Sequence, residues 1–183
     1  MQVLRTDIPE VLVLEPKVFT DERGFFLESY NRREFRRDTG MDLEFVQDNQ
    51  SLSVRNVLRG LHYQVRKPQG KLVMVVAGEI FDVAVDLRRD SPTFRKWVSA
   101  ILSAGTHRAL WIPPGFAHGF LVLSEQALVH YKVSAYYAPE HERCVRWDDP
   151  ALGIAWPSAG GPPRVSAKDA RGLSLAEAPR FDL

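Results

Sequence analysis

The chain predicts an all-β fold, an antiparallel sandwich or barrel, and three observations carry that prediction. Its apolar residues alternate with a period of two rather than 3.6. The alternating runs are short, and compact turn signals separate them.

Taken in order, the strand-like runs begin with "VLVLEP" (11–16) and "FFLESY" (25–30). The one convincing helix follows near Asn31–Asp38, with Gly40 placed to end it. "EFVQDNQSLS" (44–53), "LRGLHYQ" (58–64) and "KLVMVVAGEI" (71–80) continue the strands. In "IFDVAVDL" (80–87), Phe81, Val83, Val85 and Leu87 point one way while Asp82, Ala84 and Asp86 point the other. Ala77-Gly78-Glu79 between these two runs reads as a short hairpin turn. "RKWVSAIL" (95–102), "RALWIP" (108–113), "GFLVL" (119–123) and "ALVHYKVSAYY" (127–137) complete the set. Asp90-Ser91-Pro92, Ala104-Gly105 and Pro113-Pro114-Gly115 punctuate them. "PSAGGPPRV" (157–165) is the nearest thing to a linker, and a short helical piece is expected after Ser166. The expectation is one domain over residues 1–183, with residues 158–183 as an appended tail.

Composition narrows the function. At 183 residues the chain is long enough to bury a substantial core, and 45% hydrophobic with 26% charged residues is ordinary for a soluble protein. A formal net charge of +1 argues against a broad basic face for nucleic acid. Cys144 is the only cysteine, which excludes an intrachain disulfide framework and a thiolate metal cluster. "MQVLRTDIPE" is not read as a signal peptide, because Asp7, Pro9 and Glu10 interrupt any apolar region. No apolar run approaches the ~18 residues of a membrane helix, so a cytoplasmic protein is expected.

Several polar residues on the strands need an explanation, because an unpaired polar group inside a small barrel is costly. In "LRGLHYQ", strict alternation puts Gly60, His62 and Gln64 on one face, while a bulge at Gly60 would turn Arg59 and His62 toward the same cavity. Taken singly, His62 reads as a structural histidine, Lys71 as a surface lysine, and Tyr131 as a barrel aromatic. Lys168-Asp169 reads as a solvated tail pair, and Arg23 and Glu28 as part of a charged turn and strand. "PPGFAH" (113–118) fits the second cupin motif, which supplies a histidine ligand in metal-binding members. The first motif's H-x-H pair is missing, since His62-Tyr63-Gln64 offers only glutamine, a poor transition-metal ligand. The cupin shape is therefore suggested and a bound metal is not.

In combination the residues say more. "FTDERGFFLESY", "FVQDNQSLS", "LRGLHYQ", "GKLVMVVAGEIFDVAVDLRRDSPTF", "IPPGFAHGF", "YKVSAYYAPEHE", "RWDDPALGIAWP" and "SAKD" occur in that order between Phe19 and Asp169. The series closely resembles the dTDP-4-dehydrorhamnose 3,5-epimerase family. The resemblance implies a cupin-type antiparallel jelly roll with a few short helices, a homodimer with N-terminal strands exchanged between subunits, and no metal or other cofactor. It implies a substrate that is a dTDP-linked 4-keto-6-deoxy sugar, epimerised at C3 and C5 through enolates. His62 matches the general base, Asp169 its orienting partner, Tyr131 the proton donor on the opposite face, and Lys71 the cation at the enolate oxygen. Arg59 and His118 match diphosphate contacts, with Arg23 reaching in from the neighbouring subunit. Glu28, Gln47 and Asn49 match nucleotide-side contacts, and Glu142 and Lys168 complete the binding set. Asp82 is a candidate to orient His118, with an outward surface position as the alternative.

Asn56 stands where the family often has glycine, and Arg143-Cys144 where a glycine-containing turn is common. Both bear on loop geometry. Three rival readings share these residues: an epimerase acting at C3 or C5 alone, a catalytically silent sugar-nucleotide-binding cupin, and a metal-dependent cupin oxygenase. An intact His62, Lys71, Tyr131 and Asp169 set argues against the silent reading, because binding alone needs no acid and base on opposite faces.

Overall fold

The computed structural model describes residues 1–179 and 181. Its strands are β1 (Gln2–Arg5), β2 (Leu12–Glu15), β3 (Val18–Asp21), β4 (Gly24–Leu27), β5 (Gln47–Val54), β6 (Leu58–Gln64) and β7 (Lys71–Ala77). They continue with β8 (Glu79–Asp86), β9 (Trp97–Ser103), β10 (Ala109–Ile112), β11 (Phe116–Val122), β12 (Gln126–Val133) and β13 (Glu142–Cys144). One helix, α1 (Arg32–Thr39), and two single-turn helices at Pro139–His141 and Asp169–Arg171 accompany them. The predicted helix is therefore present, as is the short piece after Ser166.

Six strands form one antiparallel sheet in the order β1-β2-β10-β7-β12-β5, and five form a second in the order β13-β6-β11-β8-β9. Strands that are neighbours in a sheet are mostly not neighbours in sequence, the signature of a jelly roll. Inward residues of both sheets share one core, with Val73, Val75, Leu110 and Val129 from the first meeting Ile80, Ala84, Leu102 and Phe120 from the second.

The expected hairpin at 77–79 is corrected here. β7 and β8 do not pair: β7 lies between β10 and β12, and β8 between β11 and β9. Gly78, at φ 81°, carries the chain from one sheet to the other instead of folding it back. Period-two patterning identifies each strand's faces but not its partner.

The outer faces are covered differently. Helix α1 is N-capped by Asn31, whose side chain accepts hydrogen bonds from the amides of Arg33 (3.0 Å) and Glu34 (3.4 Å). It is C-capped by Gly40 at φ 76°. Its one buried residue, Phe35, packs edge-on against Phe45 and Trp111 on the outside of the six-stranded sheet. The outside of the five-stranded sheet is sealed by the C-terminal segment. Leu152, Leu175, Ala178 and Phe181 pack there on Leu61, Tyr63, Val83, Val85 and Ala117. Tyr63 donates a 2.9 Å hydrogen bond to the Pro179 carbonyl. β8 is thus buried on both faces. Among the described residues, no helix is long and apolar enough to cross a membrane.

Candidate active site

Between the sheets lies a cavity of about 340 Å³ whose lining includes Gln47, Asn49, Arg59, His62, Lys71, His118, Tyr131 and Glu142. Sequence position alone would not bring Arg59 and His62 to one space; a bulge does. The β6–β11 register shifts between the pairs His118↔His62 and Phe120↔Arg59. Gly60 sits inside that shift at φ 125°. A Cβ there would lie 2.5 Å from the Gly119 Cα and 2.8 Å from the His118 carbonyl oxygen, so the two strands approach closely only because both residues are glycine.

His62 is part-exposed, and its Nε2 lies 2.7 Å from Asp169 Oδ1, which comes from the C-terminal segment and is itself buried. With Nε2–H donating to the carboxylate, Nδ1 is the ring nitrogen left to take a proton. Burial pushes the Asp169 carboxyl up, but the hydrogen bond and charge of His62 outweigh it and hold the group below its usual range. Across the cavity, Tyr131 projects from β12 in the opposite sheet. Burial raises its pKa above the usual 10, while the nearby Arg59 charge works the other way.

Lys71 opens β7 and is only 7% exposed, so it is not the surface lysine that its position taken singly suggested. Its Nζ donates to the His62 carbonyl at 3.3 Å. Burial lowers its pKa to about 8, with Asp82 and Glu142 opposing the shift. Asp82 faces inward and is fully buried; its oxygens lie 2.9 and 3.0 Å from His118 Nε2. The orienting role considered for it thus has the required geometry, and the outward alternative is excluded. Burial also lowers the His118 pKa, against the pull of the Asp82 charge.

The rim is a chain of polar contacts. Gln47 Nε2 donates to Asn49 Oδ1 at 2.8 Å, and Gln47 Oε1 accepts from the Tyr137 amide at 3.0 Å. The Tyr137 hydroxyl donates to Glu142 at 2.7 Å, and Lys168 forms an ion pair with the same carboxylate. Arg59 Nε is held by Ser53 Oγ at 2.9 Å. Gln64 is spent structurally, donating to the Lys67 and Tyr136 carbonyls and accepting from the Ala138 amide.

Arg23 and Glu28 do not reach this cavity within the single chain. Arg23 is exposed at the tip of the β3–β4 hairpin and bonds Asp21. Glu28 accepts from the Asn31 side chain at 3.3 Å. Two further residues were not singled out from sequence. Tyr137 sits in the quoted "YKVSAYY" run and was readable there. Ser51 lines the cavity, and its buried hydroxyl has no hydrogen-bond partner among the described residues, which leaves it available to a molecule bound there.

A cupin-type barrel whose cavity holds an imidazole from one sheet and a phenol and a buried ammonium from the other has the groups that an acid–base enzyme of the isomerase kind uses. The comparisons make the assignment particular. The family described as dTDP-4-dehydrorhamnose 3,5-epimerase matches residues 5–177. The dTDP-4-dehydrorhamnose 3,5-epimerase of Pseudomonas aeruginosa is 56% identical over 181 residues, covering 99% of both chains. That of Shigella flexneri is 53% identical over 182 residues, again covering 99% of both. A crystal structure of dTDP-6-deoxy-D-glucose-3,5-epimerase from Legionella pneumophila, in complex with dTDP-4-keto-L-rhamnose, superposes with a TM-score of 0.95 at 49% identity, covering 98% of each chain. The chain belongs to the dTDP-4-dehydrorhamnose 3,5-epimerase family.

Proposed function

We infer that the chain converts dTDP-4-dehydro-6-deoxy-D-glucose to dTDP-4-dehydro-L-rhamnose, inverting C3 and C5 in turn. The observation that carries this reading is that His62 and Tyr131 face one cavity from opposing sheets, with Lys71 buried beside them. A ketone at C4 acidifies the C–H bonds at C3 and C5, because either carbanion delocalises onto the carbonyl oxygen. His62 Nδ1 takes the proton, and the imidazolium that forms is stabilised by Asp169. Lys71 donates to the developing enolate oxygen, where a preorganised donor is typically worth about 3–4 kcal/mol. Tyr131 returns a proton to the other face of the carbon, and the enolate collapses to the inverted ketone. Solvent then resets both groups. Nothing in this sequence of steps calls for a cofactor. Arg59 and His118 serve the diphosphate, and Gln47, Asn49, Glu142 and Lys168 the nucleotide side.

The proposal includes a second copy of the chain. Phe19, Phe25 and Phe26 on the β3–β4 hairpin are 50–67% exposed, as are Leu52, Val54 and Val76 of the adjoining sheet at 51–60%. Such apolar exposure is typical of an interface. A hairpin crossing to a partner would deliver Arg23 and Glu28 to the partner's cavity, which their own chain does not let them reach. Light scattering should give the mass of a dimer, and Arg23→Ala should raise KM more than it lowers kcat. A cytoplasmic setting accords with the single free thiol.

The deciding experiment is incubation with the 4-keto substrate in heavy water, reading deuterium separately at C3 and C5. Exchange at both carbons is expected. Exchange at one carbon would assign a monoepimerase, and exchange at neither would end the enzyme reading for this substrate. His62→Ala should lower exchange at both carbons by about 10²–10⁴-fold with nucleotide binding retained.

A further inference from the structure

Cys144 stands directly opposite His62 in the β13–β6 register, and Asp169 closes on the same imidazole from the C-terminal segment. One donor atom from each of His62, Cys144 and Asp169 lies within 4.8 Å of the others. The epimerase chemistry uses the histidine and the carboxylate and has no task for the thiol. Nitrogen, sulfur and oxygen donors in one triangle are the set that zinc takes, at bond lengths of about 2.0–2.3 Å. Those lengths need donors roughly 3.3–3.8 Å apart, so the His62–Asp169 edge would open from 2.7 Å by about half an ångström or more while the thiol closes in to complete the triangle.

We propose that His62, Cys144 and Asp169 form an inhibitory site for zinc and similar thiophilic divalent cations, which disables the base by occupying the position between His62 and Asp169. The charge balances: thiolate and carboxylate together neutralise a divalent ion, and the thiol proton passes to solvent. Burial, with Asp169 and Glu142 alongside, pushes the free thiol up to about 12, so the resting thiol is protonated and inert. A bound metal reverses that preference, because a coordinating thiol is deprotonated outright. A second cavity of about 420 Å³ opens onto His62 and Asp169 and gives the ion a path, while Arg59, Arg164 and Lys168 on the same lining oppose the approach of a cation. A neutral imidazole that ligates through Nε2 keeps its proton on Nδ1. It cannot then accept one from substrate. This inhibition rests on the proposed role of His62; the binding itself does not.

The test uses the reduced, metal-free full chain. Cobalt(II) should bind at one equivalent with a sulfur-to-cobalt charge-transfer band in the near ultraviolet, and zinc should displace it. One equivalent of zinc should abolish deuterium exchange, and a chelator should restore it. Cys144→Ser, with Cys144→Ala as a check on folding, should keep its basal exchange, lose the band, and need at least tenfold more zinc for inhibition. Absence of the band in the wild type overturns the site. So does inhibition of both variants at the wild-type zinc concentration. A band without loss of exchange overturns the inhibitory role. If His62→Ala retains exchange, the base assignment fails while the cobalt spectrum still reports on the site.

Discussion

Lys71 holds its charge against its surroundings. Its folded-state pKa of about 8 lies below the ordinary 10.5, because burial penalises the ammonium more than Asp82 and Glu142 support it. Only the ammonium can stabilise an enolate, so kcat/KM should fall as pH rises through about 8. Asp82→Asn removes one of the two supporting charges and should move that alkaline limb to lower pH; an unshifted limb would separate Asp82 from Lys71. Between about 8 and 10.5 the unfolded chain binds more protons at this residue than the folded one, so its contribution to stability rises with pH across that window. At neutral pH the buried charge therefore destabilises the fold. Lys71→Met should raise Tm by a few degrees, roughly 2–4 °C per kcal/mol for a chain of this size, while lowering exchange about 10²–10³-fold. A calorimetric scan beside the deuterium assay checks both.

At the scale of elements, the approach of β6 to β11 depends on Gly60 and Gly119. Gly60→Ala would drive a Cβ into backbone at a φ that L residues avoid, and a loss of about 3 kcal/mol or more is expected in denaturant titration. Asn56, at φ 67°, explains why glycine is common at its position in the family. Asparagine tolerates the left-handed region, and its Nδ2 donates to the Pro162 carbonyl at 2.6 Å. Asn56→Ala should cost about 2 kcal/mol, combining backbone strain with the lost bond, and Asn56→Gly less. Most of these elements were legible because alternation and capping are local: Asn31 and Gly40 bracket α1 as read. β1, β3 and β13 escaped notice because "QVLR", "VFTD" and "ERC" carry no period-two alternation of apolar residues. Sheet partners are set by closure of the whole barrel, which is why Gly78 reads as a hairpin and is a crossover. The site was legible through motifs for His62, Lys71, Tyr131 and Asp169. Ser51 was not, since an orphaned hydroxyl exists only once the cavity does.

At the scale of the molecule, the segment after Pro157 is part of both the core and the candidate site. It covers the outer face of the five-stranded sheet through Leu175, Ala178 and Phe181, and it delivers Asp169 to His62. Ending the chain at residue 165 should lower Tm, expose that face to a hydrophobic dye, and reduce exchange by at least tenfold. Asp169→Asn in the full chain should reproduce the loss of exchange without the dye binding. If the shortened chain keeps full exchange, Asp169 does not support the base.

The same arrangement sets an order in time. During synthesis every strand of the barrel emerges before Asp169 does, so a newly made barrel has its cavity, acid and ammonium but an unsupported imidazole. On the proposed roles, competence then arrives with the docking of one late segment, and a released chain that ends at residue 165 should bind the nucleotide sugar while turning it over at least tenfold more slowly.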